Sequence, residues 1–197
     1  MKKMLYLMRH GETLFNKLGK VQGACDSPLT QNGIKQAEQA RIYFKENKIN
    51  FDHLYSSTQE RASDTLEIIT NQKSYTRIKN LKEMNFGLFE AESTSLQPKG
   101  PESFETFYAQ YGGETAKEVE RRMTESLTAI MEKQDHYSVL ALSHNGACYY
   151  FLRKFWTSST KNIPVHFPNC SIFSYEYRSK NFYLLDIIDP SIKKSIL

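Results

Sequence analysis

The chain has no stretch near the roughly 20 consecutive apolar residues that a membrane-spanning helix needs, so no membrane anchor is expected. Cysteine is scarce: Cys25, Cys148 and Cys170 are far apart, odd in number and form no CxxC pair. That excludes a cysteine zinc site and argues against a disulfide framework. HExxH, Walker A and GxGxxG patterns are also missing, which removes the usual sequence grounds for a zinc hydrolase, a P-loop nucleotide site or a dinucleotide site. Net charge is +4, from 26 basic and 22 acidic residues, but no long basic run occurs. A nucleic-acid partner is therefore not expected. The apolar run after Met1-Lys2-Lys3 is too short for a secretory leader. Together these absences point to a soluble protein of a reducing compartment, with the cytoplasm as the expected location. No repeat or low-complexity segment appears.

What is present is the make-up of one globular domain. The 197 residues suffice for one well-buried core, and 40% hydrophobic with 24% charged residues is ordinary globular composition. Twelve Tyr and twelve Phe supply large core side chains. Apolar runs predict strands at about 3–9, 51–56, 76–82 and 138–142, with a strand pair at 171–177 and 182–188 around Ser179-Lys180-Asn181. Helices are predicted between them. One runs over 31–47 behind a Thr30 N-cap, with Ile34, Ala37, Ala40 and Phe44 on one face. A second runs to Thr70 from a capping box at Ser57-Thr58-Gln59-Glu60. A third spans 116–134 from a second box at Thr115-Ala116-Lys117-Glu118, and a fourth carries Tyr149 to Phe155. Strands alternating with helices imply an α/β domain with a largely parallel sheet. Residues 84–113, broken by Pro98, Gly100, Pro101 and Gly112-Gly113 but rich in aromatics, read either as a cap over a site or as an insertion packing its own rings.

Polar residues follow the predicted strands. Arg9-His10 comes directly after Met4-Leu5-Tyr6-Leu7-Met8, Glu83 after the third strand and His144 after the fourth. In open parallel sheets ligands bind at the C-terminal strand ends, so these groups would converge if the strands are neighbours. Arg61 joins them in the first turn of its helix, where free N–H groups favour an anion. Two arginines, two histidines and a helix N-terminus suit a phosphoryl group, which guanidinium binds bidentately. A neutral histidine held through one ring nitrogen can attack phosphorus with the other, and Glu83 could supply a proton to the leaving oxygen. His53, His136 and His166 read as ordinary surface or half-buried residues, and Glu12 as the partner of a neighbouring base.

Arg9-His10-Gly11-Glu12-Thr13 with Asn16 resembles the signature of the histidine phosphatase superfamily, in its phosphoglycerate mutase-like branch. The resemblance continues through Gln22-Gly23, Asp26-Ser27-Pro28-Leu29-Thr30, Gly33 and Gln36-Ala37. It extends to Ser56-Ser57 with Arg61-Ala62 and Thr65, Glu83-Met84-Asn85-Phe86-Gly87 and Ser143-His144, five blocks in order across most of the chain. It implies a three-layer α/β/α sandwich with a mostly parallel central sheet. His10 would be the phosphorylated nucleophile, Glu83 the proton donor, and Arg9, Arg61 and His144 the phosphoryl-binding groups. Asn16, Gln22 and Gly23 would line the pocket. Neither metal nor other cofactor is implied. The chain departs from the family where glycine usually follows the second histidine, placing Asn145 ahead of Gly146. Asn145 would then approach the substrate. Tyr149 or Tyr150 stands where an arginine is common.

The expected activity is hydrolysis of a small phosphorylated metabolite through phosphohistidine. The alternative is a mutase that returns the phosphoryl group to a sugar acid. A non-catalytic phospho-ligand module would be expected to lack His10 or Glu83, and both are present. Oligomeric state is not legible.

Overall fold

The computed structural model describes residues 2–157, 163 and 167–197, so His166 lies outside the described residues. Seven strands form one sheet: β1 (Lys3–Arg9), β2 (His53–Ser57), β3 (Thr76–Ile78), β4 (Ser138–Ser143), β5 (Ile172–Arg178), β6 (Asn181–Asp189) and β7 (Lys194–Ser195). Their order is β3-β2-β4-β1-β5-β6-β7. The first four are mutually parallel, and β5 to β7 add antiparallel to the β1 edge. The helices are α1 (Leu14–Lys17), α2 (Gln31–Glu46), α3 (Glu60–Thr70), α4 (Ala116–Met131) and α5 (Asn145–Phe155).

The neighbouring parallel strands β1 and β4 read as continuous apolar runs because both faces are covered. Leu5, Leu7, Val139 and Ala141 pack with α4 and α5 in one core. Met8, Leu140 and Leu142 pack with α2 and α3 in the other. The result is the expected three-layer sandwich. Thr30 caps α2 through Gly33 N–H, and Thr115 and Glu118 form a capping box on α4. Gly33 belongs in this helix despite its low propensity, because a Cβ there would lie 2.1 Å from the Glu12 carbonyl oxygen. Ser179 and Lys180 both take positive φ, the pattern of the tight turns that join paired strands.

Several boundaries differ from expectation. Ser57 ends β2 instead of capping α3, whose N-cap is Gln59 with no side-chain cap bond. The third strand stops at Ile78 and gives way to a helical turn at Lys79–Leu81. The α4 helix ends at Met131, α5 starts four residues before Tyr149, and β7 had no readable signal. Segment 84–113 forms four 3-10 turns. Its rings gather on the fully buried Tyr108, with Phe86, Phe89, Phe104 and Phe107 at centroid distances of 4.8, 5.5, 5.6 and 5.1 Å. Backbone bonds from Val21 N–H to Glu92 O and from Thr94 N–H to Gly19 O tie this segment to the loop after β1.

Candidate active site

The parallel register aligns Arg9 with Ser143, so the next residues, His10 and His144, emerge side by side, their ring centroids 5.1 Å apart. A cavity of about 450 Å³ opens above His10. Arg9, His10, Asn16, Gln22, Glu83 and Asn145 line its polar end. The 84–113 segment forms much of the remaining wall.

His10 is fixed by its neighbours. Its Nδ1 lies 2.7 Å from the Gly11 carbonyl oxygen, an acceptor only, so Nδ1 carries the proton and Nε2 keeps a lone pair. Burial, then the positive charges of Arg61 and Arg9, hold the ring well below the usual histidine pKa, against a smaller opposing effect from the Gly11 hydrogen bond. The imidazole is therefore neutral at pH 7. Asn169 donates to the His10 carbonyl at 3.1 Å and to Asn16 Oδ1 at 3.3 Å, linking the strand end to the pocket wall.

Glu83 is seated on the N-terminus of α5. Its carboxylate accepts from Gly146 N–H at 2.9 Å, Ala147 N–H at 2.9 Å and Met84 N–H at 2.8 Å. Free N–H groups at a helix start favour a negative charge there. Gln59 Oε1 accepts the Glu83 N–H at 2.9 Å, and Arg122 bridges the Glu83 carbonyl to Glu114.

Arg9, 7% exposed, donates through one NH to the Phe167 carbonyl and more weakly to Asn145 Oδ1 at 3.4 Å. Its Nε is buried with no hydrogen-bond partner among the described residues, a donor in need of an acceptor. Arg61 and His144 are both fully buried and lie beneath the pocket, not on its lining. Arg61 donates to His144 Nδ1 at 3.1 Å, to Cys25 O at 2.8 Å, to Asp26 Oδ1 at 2.9 Å and to Gly23 O at 3.0 Å. Because His144 Nδ1 accepts from Arg61, its Nε2 must be the donor in the 2.8 Å contact with Ser57 Oγ. Burial, followed by the charge of Arg61, also holds His144 well below the ordinary histidine pKa.

A buried neutral imidazole with one free lone pair, an arginine and a seated carboxylate around one cavity can exchange a phosphoryl group. Residues 5–190 match the model of the histidine phosphatase superfamily (branch 1). The chain belongs to the histidine phosphatase superfamily. A Yersinia pestis (strain Pestoides F) protein named probable phosphoglycerate mutase is 31% identical over 189 residues, covering 88% of this chain and 85% of its own. The structure of a phosphoglycerate mutase from Bacillus anthracis superposes with a TM-score of 0.82 at 22% identity, over 93% of this chain and 92% of that one. Phosphoserine phosphatase from Entamoeba histolytica in complex with 3-phosphoglyceric acid gives 0.76 at 25% identity, over 94% and 96%.

In this member of the superfamily, Asn145 does not block the pocket. It is the first residue of α5, and its Oδ1 accepts from Arg9 and from Phe167 N–H at 3.3 Å. The need for glycine falls one residue later, since a Cβ on Gly146 would lie 2.7 Å from Glu83 Oε1. Gly23 lies below the lining, where its carbonyl receives Arg61 and its N–H reaches Glu90 at 3.0 Å. The Gln22 amide satisfies its neighbours when its nitrogen donates to Thr13 and Ser27 and its oxygen faces the Arg61 guanidinium, 3.3 Å from Nη1. Glu12 pairs with no base among the described residues; its carboxylate takes the Thr30 hydroxyl at 2.6 Å and the Asn32 amide at 3.2 Å.

Five contributors went unnoticed in the sequence: Ser57, Gln59, Glu90, Asn169 and Arg122. Only Ser57 and Gln59 stood in a recognised block, where Ser57 looked like a helix cap and Gln59 an ordinary first-turn residue. The three cysteines are free thiols, each pushed up first by burial, so none is poised as a nucleophile. Among the described residues, one group has ligand atoms close enough for a metal: His53, Asp135 and His136, within 4.8 Å. It lies at the opposite, N-terminal strand ends. There Asp135 bonds both imidazoles and Tyr55 bonds His136 at 2.6 Å. No helix among the described residues is long and apolar enough to cross a membrane.

Proposed function

We propose that this chain hydrolyses phosphomonoesters of small metabolites through a phosphohistidine on His10. The observation that carries the reading is the neutral His10 ring, tied at Nδ1 and free at Nε2, in one cavity with Glu83. In the first step the Nε2 lone pair forms a bond to phosphorus while the ester P–O bond breaks. Glu83, a carboxylate on its seat, relays to the leaving oxygen the proton that an ester monoanion brings. In the second step water attacks phosphorus and the P–N bond breaks. The Glu83 carboxylate takes the water proton and hands it to the departing phosphate, and His10 is released neutral. Arg9, with its unpartnered Nε, supplies charge to the phosphoryl oxygens.

We assign Arg61 and His144 to the same phosphoryl centre, acting from beneath. Arg61 places positive charge behind the reacting ring and adds to burial in keeping it neutral. Direct donation to a phosphoryl oxygen would require either residue to exchange a partner it holds here, such as Ser57 for His144. Asn16, Gln22 and Asn145 line the pocket for the ester and its surroundings.

A mutase shares the first step, and the name of the Yersinia relative keeps that reading as the alternative. One assay separates them. The protein is incubated without added metal with a panel of esters that includes 3-phosphoglycerate plus trace 2,3-bisphosphoglycerate, and free phosphate and 2-phosphoglycerate are followed together. Phosphate release from several esters without isomerisation supports the hydrolase. Rapid isomerisation with little release overturns it in favour of the mutase.

A further inference from the structure

We infer that the outer half of the cavity is built for an uncharged, ring-bearing alcohol as leaving group, an inference that rests on the hydrolase reading above. The cavity, at about 450 Å³, falls within the range of roughly 300–1,000 Å³ typical of sites that enclose ring-bearing ligands. A phosphoryl group and a three-carbon acid leave much of it unfilled.

Charge decides what the remainder accepts. Beyond Arg9, the only cation on the lining among the described residues is Lys20, which is exposed, with its ammonium donating to the Ala91 carbonyl at 2.9 Å. Arg153 stacks on Tyr150 at 5.0 Å but is tied to Glu105 and Glu120. A carboxylate or second phosphate on the leaving group would lose water here with only the exposed, solvent-screened Lys20 ammonium to meet it among the described residues, which is unfavourable.

The walls offer flat apolar faces instead. Phe86 and Phe104 are held edge-on against buried Tyr108, and Tyr149 and Tyr150 meet at 5.3 Å across the opening of α5. Rings already ordered by packing bind a planar group at low entropic cost. The Gln97 amide and the Thr94 hydroxyl add neutral hydrogen-bonding groups on the same wall.

The test uses three esters that all leave as primary alkoxides: benzyl phosphate, glycerol 3-phosphate and 4-(phosphonooxymethyl)benzoate. Benzyl phosphate should exceed both others at least tenfold in kcat/KM. Tyr149→Ala, with Tyr149→Leu as a second variant that keeps apolar volume, should lower the benzyl-to-glycerol ratio at least threefold. Thr94→Arg should raise kcat/KM for the benzoate ester. Equal or better turnover of the benzoate by the unmodified protein would overturn the inference while leaving the hydrolase reading intact. If no ester turns over, the hydrolase reading falls, and calorimetry with benzylphosphonate and 4-carboxybenzylphosphonate still reads the subsite. Tenfold tighter binding of the uncharged compound supports it, and equal or reversed affinity overturns it.

Discussion

Replacing Gly146 with alanine puts a Cβ 2.7 Å from Glu83 Oε1, inside contact distance. The carboxylate must shift, although three N–H groups hold it where it is. Losing one hydrogen bond to a charged group costs about 1.5–3 kcal/mol, while alanine in place of glycine in a helix returns at most about 1 kcal/mol. The net loss should be about 0.5–2 kcal/mol, or about 1–8 °C in Tm for a domain of this size. The effect on catalysis should be larger, because a displaced Glu83 cannot protonate the leaving oxygen, and a positioned acid contributes about 10²–10⁴-fold. The assay compares benzyl phosphate, whose alkoxide needs that proton, with p-nitrophenyl phosphate, whose phenolate does not. Turnover of the first should fall about 100-fold or more in Gly146→Ala. Turnover of the second should fall much less. A parallel fall for both esters would refute the acid role, and no fall for either would show that the carboxylate does not depend on this seat.

Three further outcomes are expected. His10 and His144 both have lowered pKa values, so the unfolded chain binds protons below about pH 6.5 that the folded chain refuses. Stability contributed by their neutral state is complete above that pH and lost as pH falls, at about 1.36 kcal/mol per pH unit for each ring. Urea titrations from pH 7.5 to 5.5 should show a shallower decline for His144→Gln than for the unmodified protein, and parallel declines would refute a neutral His144. Asp26→Ala removes the carboxylate paired with buried Arg61 at 2.9 Å and bonded to Glu60 N–H at 2.6 Å. Chemical denaturation should register a loss of about 3 kcal/mol, the low end for breaking a buried pair because Asp26 keeps some solvent contact; a loss under about 1 kcal/mol would contradict the account. Phosphate release should survive dialysis against a chelator, since Arg9 and Arg61 carry the positive charge assigned to the reaction; activity lost on dialysis and restored by a divalent cation would refute that assignment.

Local chemistry was legible in the sequence. Thr30 and Thr115 cap their helices because a hydroxyl reaches an N–H three residues on, whatever the rest of the fold does. The runs 4–8 and 138–142 read as buried strands, and the polar residues behind them had to emerge at one sheet edge once those strands paired in parallel. His10, Glu83 and Arg9 were therefore visible as pocket residues, the more so through the family blocks that contain them.

Other features depended on contacts between distant segments, which leave no period or spacing in the chain. Ser57 had the form of a cap, yet the sheet holds it in β2, where it receives His144 from 87 residues away. Arg61 lay in a phosphate-binding block, but Asp26, Cys25, Gly23 and His144 draw its guanidinium beneath the pocket. The seating of Glu83 on α5 and the choice of Gly146 over position 145 follow from the approach of two segments 63 residues apart. Segment 84–113 was legible as aromatic and irregular, and its place as a cavity wall arises from bonds to the loop after β1. The sequence by itself determined which chemistry was available and which elements would carry it. Only the tertiary structure decided which nitrogen of each histidine carries the proton and which cations reach the cavity, because hydrogen-bond partners and burial are properties of neighbours in space.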